Sequence, residues 1–444
     1  MDTPICDFVK KYAESNSLRL HMPGHKGKTF IGLEHLDVTE FDGADSLFNA
    51  DGIIKTSEDN ASTLFNADTF YSTEGSSLCI RAMLFLCHKY AKEKGLNTTI
   101  LAGRNAHKSF ISACALLGID VEWIYGKDQS YLSCTIDKTL LKKIFSAKKD
   151  LPVALYVTNP DYLGNSIDVK GISEVCAEYG VLLIVDNAHG AYTKFLTQSL
   201  HPIDLGADMC CDSTHKTLPA LTGASYLHVN KNAPSFFKEN AKDALSLFAS
   251  TSPSYLILQS LDLLNAYLSD GYKAKLNKTI CLIDDLKSAL TEFGYILHGN
   301  ERLKICLHTS KYGYSGKDFN KILKAHNVTC EFYDNDFLVL MFTTQTSKKD
   351  FEYLKKILLS IPKMTSIKNA TPRIIRPQKA LSIRDAVLSP VETVSVDNAN
   401  GKILSEVTVS CPPAVPIIVS GEVIDDNVIS ILKYYGVKSV KVVK

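Results

Sequence analysis

From residue 99 to residue 229 the chain repeats one pattern, a short and continuously apolar run followed in most cases by a stretch with helical spacing. The runs are Thr99–Ala102, Val121–Tyr125, Val153–Val157, Leu182–Val185, Met209–Cys211 and Ala224–Val229. Lys108–Leu117 and Gly171–Tyr179 have helical character between them. Ser76–Lys92, with Leu78, Met83, Leu84, Leu86 and Cys87 on one side, is a helix that precedes them. Apolar runs without polar alternation suit strands buried on both faces, and intervening helices return the chain for parallel pairing. The pattern predicts an α/β chain whose mainly parallel sheet is covered by helices.

The flanking regions differ. Residues 1–20 read as a short polar helix and a lead-in. Residues 21–60 are rich in Gly, His, Asp and Asn and weakly periodic, and an irregular stretch of that length is usually functional or held by a partner. Around 255–300 the chain becomes helical, with Leu256, Leu258, Leu261, Leu264 and Leu268 on one face. A smaller α/β unit follows. It has a strand at Arg302–Thr309 and a helix face of Phe319, Ile322, Leu323 and His326. Two strands in Val328–Thr343 flank a turn at Asp334–Asp336, and Phe351, Leu354, Ile357 and Leu358 mark a second helix. The basic segment 363–380 reads as a linker, and the Val-, Pro- and Ser-rich tail 381–444 as a small separate domain. The expected division is 1–270 for an N-terminal arm and major domain, 271–365 for the small α/β domain, and 366–444 for the linker and C-terminal domain.

Composition narrows the function classes. Lys plus Arg number 49 against 48 Asp plus Glu, a formal charge of +1, so the chain has no electrostatic footprint for nucleic acid or an anionic membrane. No apolar run approaches the ~18 residues of a membrane span. The first residues lack the apolar core of a signal peptide. The 12 cysteines are scattered and form no CxxC pair, as expected of reduced, buried thiols in a cytoplasmic protein without a metal centre. Cys210 and Cys211, adjacent on a strand, should face opposite sides of the sheet.

Four short stretches carry chemistry. Asp212-Ser213-Thr214-His215-Lys216-Thr217 follows a strand, at the sheet edge where α/β folds bind ligands. A partly desolvated lysine there is a nucleophilic amine that can form a Schiff base. The strand Val181–Asp186 ends in an acid that can pair with a pyridinium nitrogen, or simply cap a helix. Thr73-Glu74-Gly75-Ser76-Ser77 opens a helix with glycine and small hydroxyls, a phosphate-binding composition. Arg104-Asn105-Ala106-His107-Lys108 ends a strand and offers an imidazole that can stack on an aromatic ring. In chain order these are a phosphate cradle, a ring stacker, a strand-end acid and a strand-end lysine. That is the logic of a pyridoxal-phosphate (PLP) enzyme.

On these residues the chain resembles the Orn/Lys/Arg decarboxylase family of fold-type I PLP enzymes, the short bacterial branch. The likeness extends through His21-Met22-Pro23-Gly24-His25-Lys26-Gly27, Asp45-Ser46-Leu47-Phe48-Asn49, Asn159-Pro160-Asp161-Tyr162-Leu163-Gly164, Asp186-Asn187-Ala188-His189-Gly190, Ser213-Thr214-His215-Lys216-Thr217-Leu218 and Ser250-Thr251-Ser252-Pro253. Cys411-Pro412-Pro413-Ala414-Val415-Pro416 and Gly421-Glu422 resemble the family's C-terminal domain. The resemblance implies an aspartate-aminotransferase-like large domain with smaller α/β and C-terminal domains. It implies PLP bound through Lys216, with Asp186 on the pyridinium nitrogen and His107 on the ring. Gly75, Ser76, Ser77, Ser213 and His215 would surround the phosphate, and Ala188 and His189 would lie near the cofactor. Ser250, Thr251 and Ser252 would reach the phosphate of a second subunit, so a homodimer or higher homo-oligomer would complete the site. The implied reaction is decarboxylation of arginine, lysine or ornithine to a polyamine-pathway amine, with His215 or Lys216 as proton donor. Glu40, Asp42 and Asp45 are candidates for binding the substrate's distal cation. Another PLP-dependent aminotransferase or lyase reaction, or an inactive regulatory relative, are the alternatives.

Three positions depart from the family's usual pattern. Glu74 stands where Asn is usual, Asn187 where Glu often follows the strand-end acid, and Gly223 where Gln is expected. A carboxylate at 74 opposes a phosphate unless it is paired or turned away.

Overall fold

A computed structural model describes residues 1–127, 130–367, 372–411 and 415–444. Of the C-terminal motif, Pro412, Pro413 and Ala414 therefore lie outside the described residues. Contacts divide the chain into two compact units, Met1–Tyr90 with Leu183–Leu276, and Ala91–Leu182 with Asn277–Lys444. The strands of these units up to residue 229 are β1 (Asp68–Ser72), β2 (Ile100–Gly103), β3 (Val121–Ile124), β4 (Ala154–Thr158), β5 (Leu182–Asp186), β6 (Met209–Asp212) and β7 (Ser225–Val229). The expected mixed α/β architecture with a mainly parallel sheet is what the chain adopts.

In the first unit the order is β1-β7-β6-β5. β5 and β6 are parallel, with Asp186 beside Cys211. β7, expected as a further strand, runs antiparallel to both β6 and β1. The connection from β6 to β7 holds only the one-turn helix Thr214–Thr217, too short for the crossover that parallel pairing needs. β1 pairs along its whole length with β7, Asp68 to Val229 and Ser72 to Ser225.

The N-terminal helix Pro4–Glu14 is tied to this unit by Asp262, whose carboxylate accepts the backbone N–H groups of Ile5 and Cys6 at 3.0 Å each. The other Asp262 oxygen accepts from the Ser57 hydroxyl at 2.6 Å. Residues 21–52 are irregular, with turns and one short 3-10 helix at Leu47–Asn49, but a helix occupies Ile53–Phe65 and so begins within the 21–60 stretch read as weakly periodic. Its N-cap, Gly52, offers no side chain. Asp45 caps the helix from a distance instead. With φ +68°, its carboxylate accepts from the N–H groups of Asp51 (3.1 Å), Gly52 (2.9 Å), Ile54 (2.8 Å) and Lys55 (3.3 Å).

In the second unit β4-β2-β3 are parallel throughout. A four-stranded sheet follows, from β8 (Leu297–His298), β9 (Lys304–His308), β10 (Phe332–Tyr333) and β11 (Phe337–Met341), in the order β10-β11-β9-β8. Its helices are Gly316–Ala325 and Lys348–Ser360, the second closed by a capping box of Ser347 and Asp350. The tail pairs β12 (Val391–Ser395) with β15 (Ser439–Val443), and β13 (Thr408–Cys411) with β14 (Val415–Val419), around a core that includes Leu404, Ile417, Ile418, Val428, Leu432 and Val442. Two of the motif stretches meet here. Arg104 Nη2 donates to Glu422 at 2.8 Å, both side chains are buried, and the guanidinium lies 5.0 Å from the Trp123 ring centroid. Burial pushes the Glu422 carboxyl up while the Arg104 charge opposes that push.

Two stability predictions follow from these contacts. Glu422→Gln leaves a buried guanidinium without its counter-charge and should lower unfolding free energy by about 3–5 kcal/mol in urea titration. Replacing Arg104 and Glu422 together by apolar residues should cost less. Partial burial pushes Asp45 up, but its backbone donors outweigh this and hold the carboxyl below its usual range. Its contribution is therefore complete above the unfolded-state carboxyl value and lost as pH falls through the lower folded value. Asp45→Asn should cost about 1–2 kcal/mol near pH 7. The gap from wild type should close on acidification, as followed by pH-dependent urea melts.

Candidate functional site

The first unit brings the strand-end acid and the strand-end lysine to adjacent chain exits. β5 ends at Asp186, 3% exposed, whose Oδ1 accepts from the Ala188 N–H at 3.2 Å and lies 3.8 Å from Cys211 Sγ. Asp186 thus shapes a turn and caps no helix. β6 ends at Asp212, and the turn Thr214–Thr217 begins one residue later, with the Lys216 N–H bonded to the Ser213 carbonyl at 3.0 Å. Lys216 Nζ stands 3.2 Å from Nε2 of the buried His189. Parallel neighbours deliver both groups to their carboxyl ends because side chains at that edge are released from the ladder into the loops. Cys210 and Cys211 point to opposite faces, as the strand period requires. Cys210 Sγ approaches His201 at 3.9 Å, whereas Cys211 approaches Asp186.

The 20-residue helix Gly75–Lys94 starts beside this turn. Its first residue has φ +73°, and a Cβ built on Gly75 would have nothing within 4 Å. The Ser213 hydroxyl donates to Ser76 Oγ at 2.8 Å. The Gly75 N–H donates to the Gly223 carbonyl at 2.8 Å. Gly223, at φ +98°, packs so closely that a Cβ would sit 2.8 Å from the Thr73 carbonyl oxygen. No L side chain fits there while the loop before the helix keeps this path, which accounts for the missing Gln. Glu74 is paired. Its Oε1 accepts the Ser250 N–H at 2.7 Å, so the unusual acid holds the start of the exposed Ser250–Ser252 turn.

His215 Nδ1 lies 2.8 Å from the Ala224 carbonyl. A carbonyl only accepts, so Nδ1 carries the proton and Nε2 of the neutral ring carries a lone pair. Burial, set against the Ala224 bond and aided by the Lys216 charge, lowers the His215 pKa. His107, in the second unit, caps the helix Lys108–Leu117, with its Nδ1 accepting the Ser109 N–H at 3.2 Å. Of the three acids suggested for substrate, Glu40 and Asp42 are exposed, and Glu40 accepts from the Ser46 hydroxyl at 2.9 Å. The Asp45 carboxylate is engaged by the Ile53–Phe65 helix.

A buried group behind the β5–β6 edge had no role in the sequence reading. His201, Cys210 and Asp212 place one ligand atom each within 4.8 Å of one another. Both Asp212 oxygens there accept hydrogen bonds, one from Asn187 Nδ2 and the other from the Nε2 atoms of His201 and His228. The only local hint was an acid directly before the Ser213–Lys216 turn. Its partners come from β7 and from loops far away in sequence.

Comparison with known proteins identifies the family. Residues 3–306 match the family model for the Orn/Lys/Arg decarboxylase major domain, and residues 364–440 that for its C-terminal domain. An arginine decarboxylase of Bacillus subtilis (strain 168) is 29% identical over 465 aligned residues, 97% of this chain and 92% of the relative. The uncharacterized protein YaaO of the same organism is 31% identical over 452 residues, 95% of this chain and 92% of its own. The crystal structure of a Francisella novicida lysine decarboxylase superposes with a TM-score of 0.81, covering 100% of this chain and 81% of that one. At 18% identity this is a likeness of fold, shared more distantly with fold-type I enzymes. The chain belongs to the Orn/Lys/Arg decarboxylase family.

Proposed function

We propose that the chain decarboxylates a basic amino acid, arginine ahead of lysine and ornithine, with PLP bound at the carboxyl ends of β5 and β6. The observation that carries the reading is the placement of Lys216 Nζ 3.2 Å from His189 at the exit of one strand, with the buried Asp186 at the end of its parallel neighbour. The residues present fit the cofactor. A long helix opens on a glycine with unfilled space where a side chain would be, Ser76, Ser77 and Ser213 supply hydroxyls, and the helix N-terminus favours a phosphate dianion. Lys216 would hold the cofactor covalently, and Asp186 would keep the ring nitrogen protonated. His107 keeps the ring-stacking role on the resemblance alone. When bound, PLP supplies the electron sink for the pair left behind by the departing carboxyl group.

The chain's own residues then have distinct tasks. His215, neutral with its Nδ1–H on the Ala224 carbonyl, presents an acceptor at Nε2 and no proton. Lys216 is therefore the assigned donor to the substrate α-carbon. His189, within hydrogen-bond reach of Lys216 Nζ, receives and returns the lysine's proton. Glu40 and Asp42 are the acids left for the distal cation, and a guanidinium favours a bidentate carboxylate. Arginine is placed first because relatives of 27–29% identity from Bacillus and Halalkalibacterium carry the name arginine decarboxylase. The Glu74–Ser250 bond gives the Glu74 carboxylate a backbone donor, which weakens the argument for an inactive relative. The exposed Ser250–Ser252 turn fits the role of reaching the phosphate of a second subunit, so we assign a homodimer as the active form.

The test is CO₂ release from arginine, lysine and ornithine with added PLP. Wild type should act on arginine, and Lys216→Ala should abolish release. A chain that shows the cofactor's visible absorbance but releases CO₂ from none of the three overturns the substrate assignment. Gly223→Ala should displace the Thr73–Gly75 loop and weaken PLP binding by about tenfold or more, as expected when a positive-φ glycine in close backbone contact is replaced. Cofactor titration by absorbance measures it, and unchanged affinity would remove Gly223 from the cradle.

A further inference from the structure

Side chains alternate across a sheet, so the ends of β5 and β6 present two different groups. One face carries Asp186 and Cys211, described above. The other carries Cys210 and Asp212, with His228 directly across the β6–β7 pairing from Cys210. Asn187, the first residue beyond β5, joins this second group. Its Nδ2 donates to Asp212 Oδ1 at 2.6 Å, and its backbone N–H donates to the Cys211 carbonyl at 3.0 Å. Asp212 Oδ2 accepts from His201 Nε2 at 3.1 Å and from His228 Nε2 at 3.2 Å. The Asp212 carboxylate, which only accepts, fixes the His228 proton on Nε2, and the Thr69 hydroxyl donates to Nδ1 at 2.9 Å. Asn187, His201, Asp212 and His228 are all 0% exposed. Burial by itself would push the Asp212 carboxyl up, but the two imidazoles hold it well below the ordinary carboxylate range. Asp212 is a fixed anion with every near neighbour a donor.

We propose that the Asn187–Asp212 pair is a positioning clamp for the reaction. Asn187 follows Asp186 directly, and Asp212 precedes the Ser213–Lys216 turn directly. The buried side-chain bond between them, added to the Asn187 N–H bond on the Cys211 carbonyl, holds the spacing between the acid's chain exit and the lysine's chain exit. This rests on the roles given to Asp186 and Lys216 under the proposed function. The clamp also accounts for the amide at 187. A carboxylate there would face Asp212 across 2.6 Å in a dry site, and two carboxylates so placed cannot both ionise. The amide at 187 and the acid at 212 are one joint choice, with the charge on the β6 side.

Exchange of the two groups tests this. Asn187→Asp alone opposes two acids. Asp212→Asn alone removes the anion. The double variant Asn187→Asp/Asp212→Asn restores every bond in mirror form, because the new amide oxygen can accept from both imidazoles while its NH₂ donates to the new acid. We expect Asn187→Asp to lower kcat by about tenfold to a hundredfold with little change in KM, the scale of a small displacement of catalytic groups. We also expect it to shift the pH at which the bound cofactor's absorbance titrates. The double variant should recover kcat, the absorbance titration and the melting temperature together. Recovery of the melting temperature without recovery of kcat and the titration would make the pair structural only and overturn the proposal. So would an Asn187→Asp variant with wild-type kcat and titration. A wild-type chain that takes up no PLP overturns the functional reading and the clamp's catalytic role with it, while the melting cycle still reports whether the pair couples.

Discussion

Everything at the site depends on two parallel strands ending side by side. β5 and β6 share a ladder, so the rotation and depth of one fix those of the other. The acid and the amine therefore need no long-range contact of their own to face a common ligand. The strands end at Asp186 and Asp212, and beyond that point the chain exits are held by a few backbone and side-chain bonds. The Ser213–Ser76 bond and the Gly75–Gly223 bond anchor the lysine turn and the helix start to each other. The Asn187–Asp212 bond anchors the two exits from the rear face. Rigid backbone, with a small number of buried polar bonds at its limit, is the general solution for holding reactive groups to within fractions of an ångström.

Much of this was legible in the sequence, for physical reasons that differ from element to element. Strands buried on both faces leave an unbroken apolar signature, and β2 to β6 fall within a residue or two of their expected bounds. Helices with a local cap or a strong apolar face were also plain, and Lys108–Leu117 ends at Gly118 in the left-handed region. The helix Ile53–Phe65 was not legible because its capping group, Asp45, is separated from it by an irregular loop. Sequence windows see neighbours along the chain, and this cap is a neighbour in space only. The same holds at the site. Lys216, Asp186 and the Gly75–Ser77 cradle announce themselves by residue type next to apolar runs. The partners that decide how they behave do not. Glu74 read as a charge problem until its oxygen met the Ser250 N–H. His215 was one of two candidate proton donors, and the Ala224 carbonyl that fixes its tautomer is nine residues away.

The buried polar groups divide into two kinds. Arg104 and Glu422 form an ion pair of opposite charges that joins β2 to the tail of the second unit. Asp212 is one anion satisfied by an amide and two imidazoles. The first joins two segments by opposite charges, with the guanidinium also over the Trp123 ring. The second places an anion behind the carboxyl ends of β5 and β6, where its donors come from Asn187, His201 and His228.

The approach of the Gly223 Cα to the Thr73 carbonyl has an evolutionary side. Because a single added carbon would collide with backbone, position 223 is closed to every other residue for as long as the loop keeps its path. Position 74, in the same loop, is open to solvent and can exchange an amide for an acid if a donor is at hand, as it does here. A side chain at 223 therefore needs a different loop path, whereas one at the outward-facing position 74 does not. A relative with Gln at 223 must route its loop differently, and it can be told apart from this chain by that one letter.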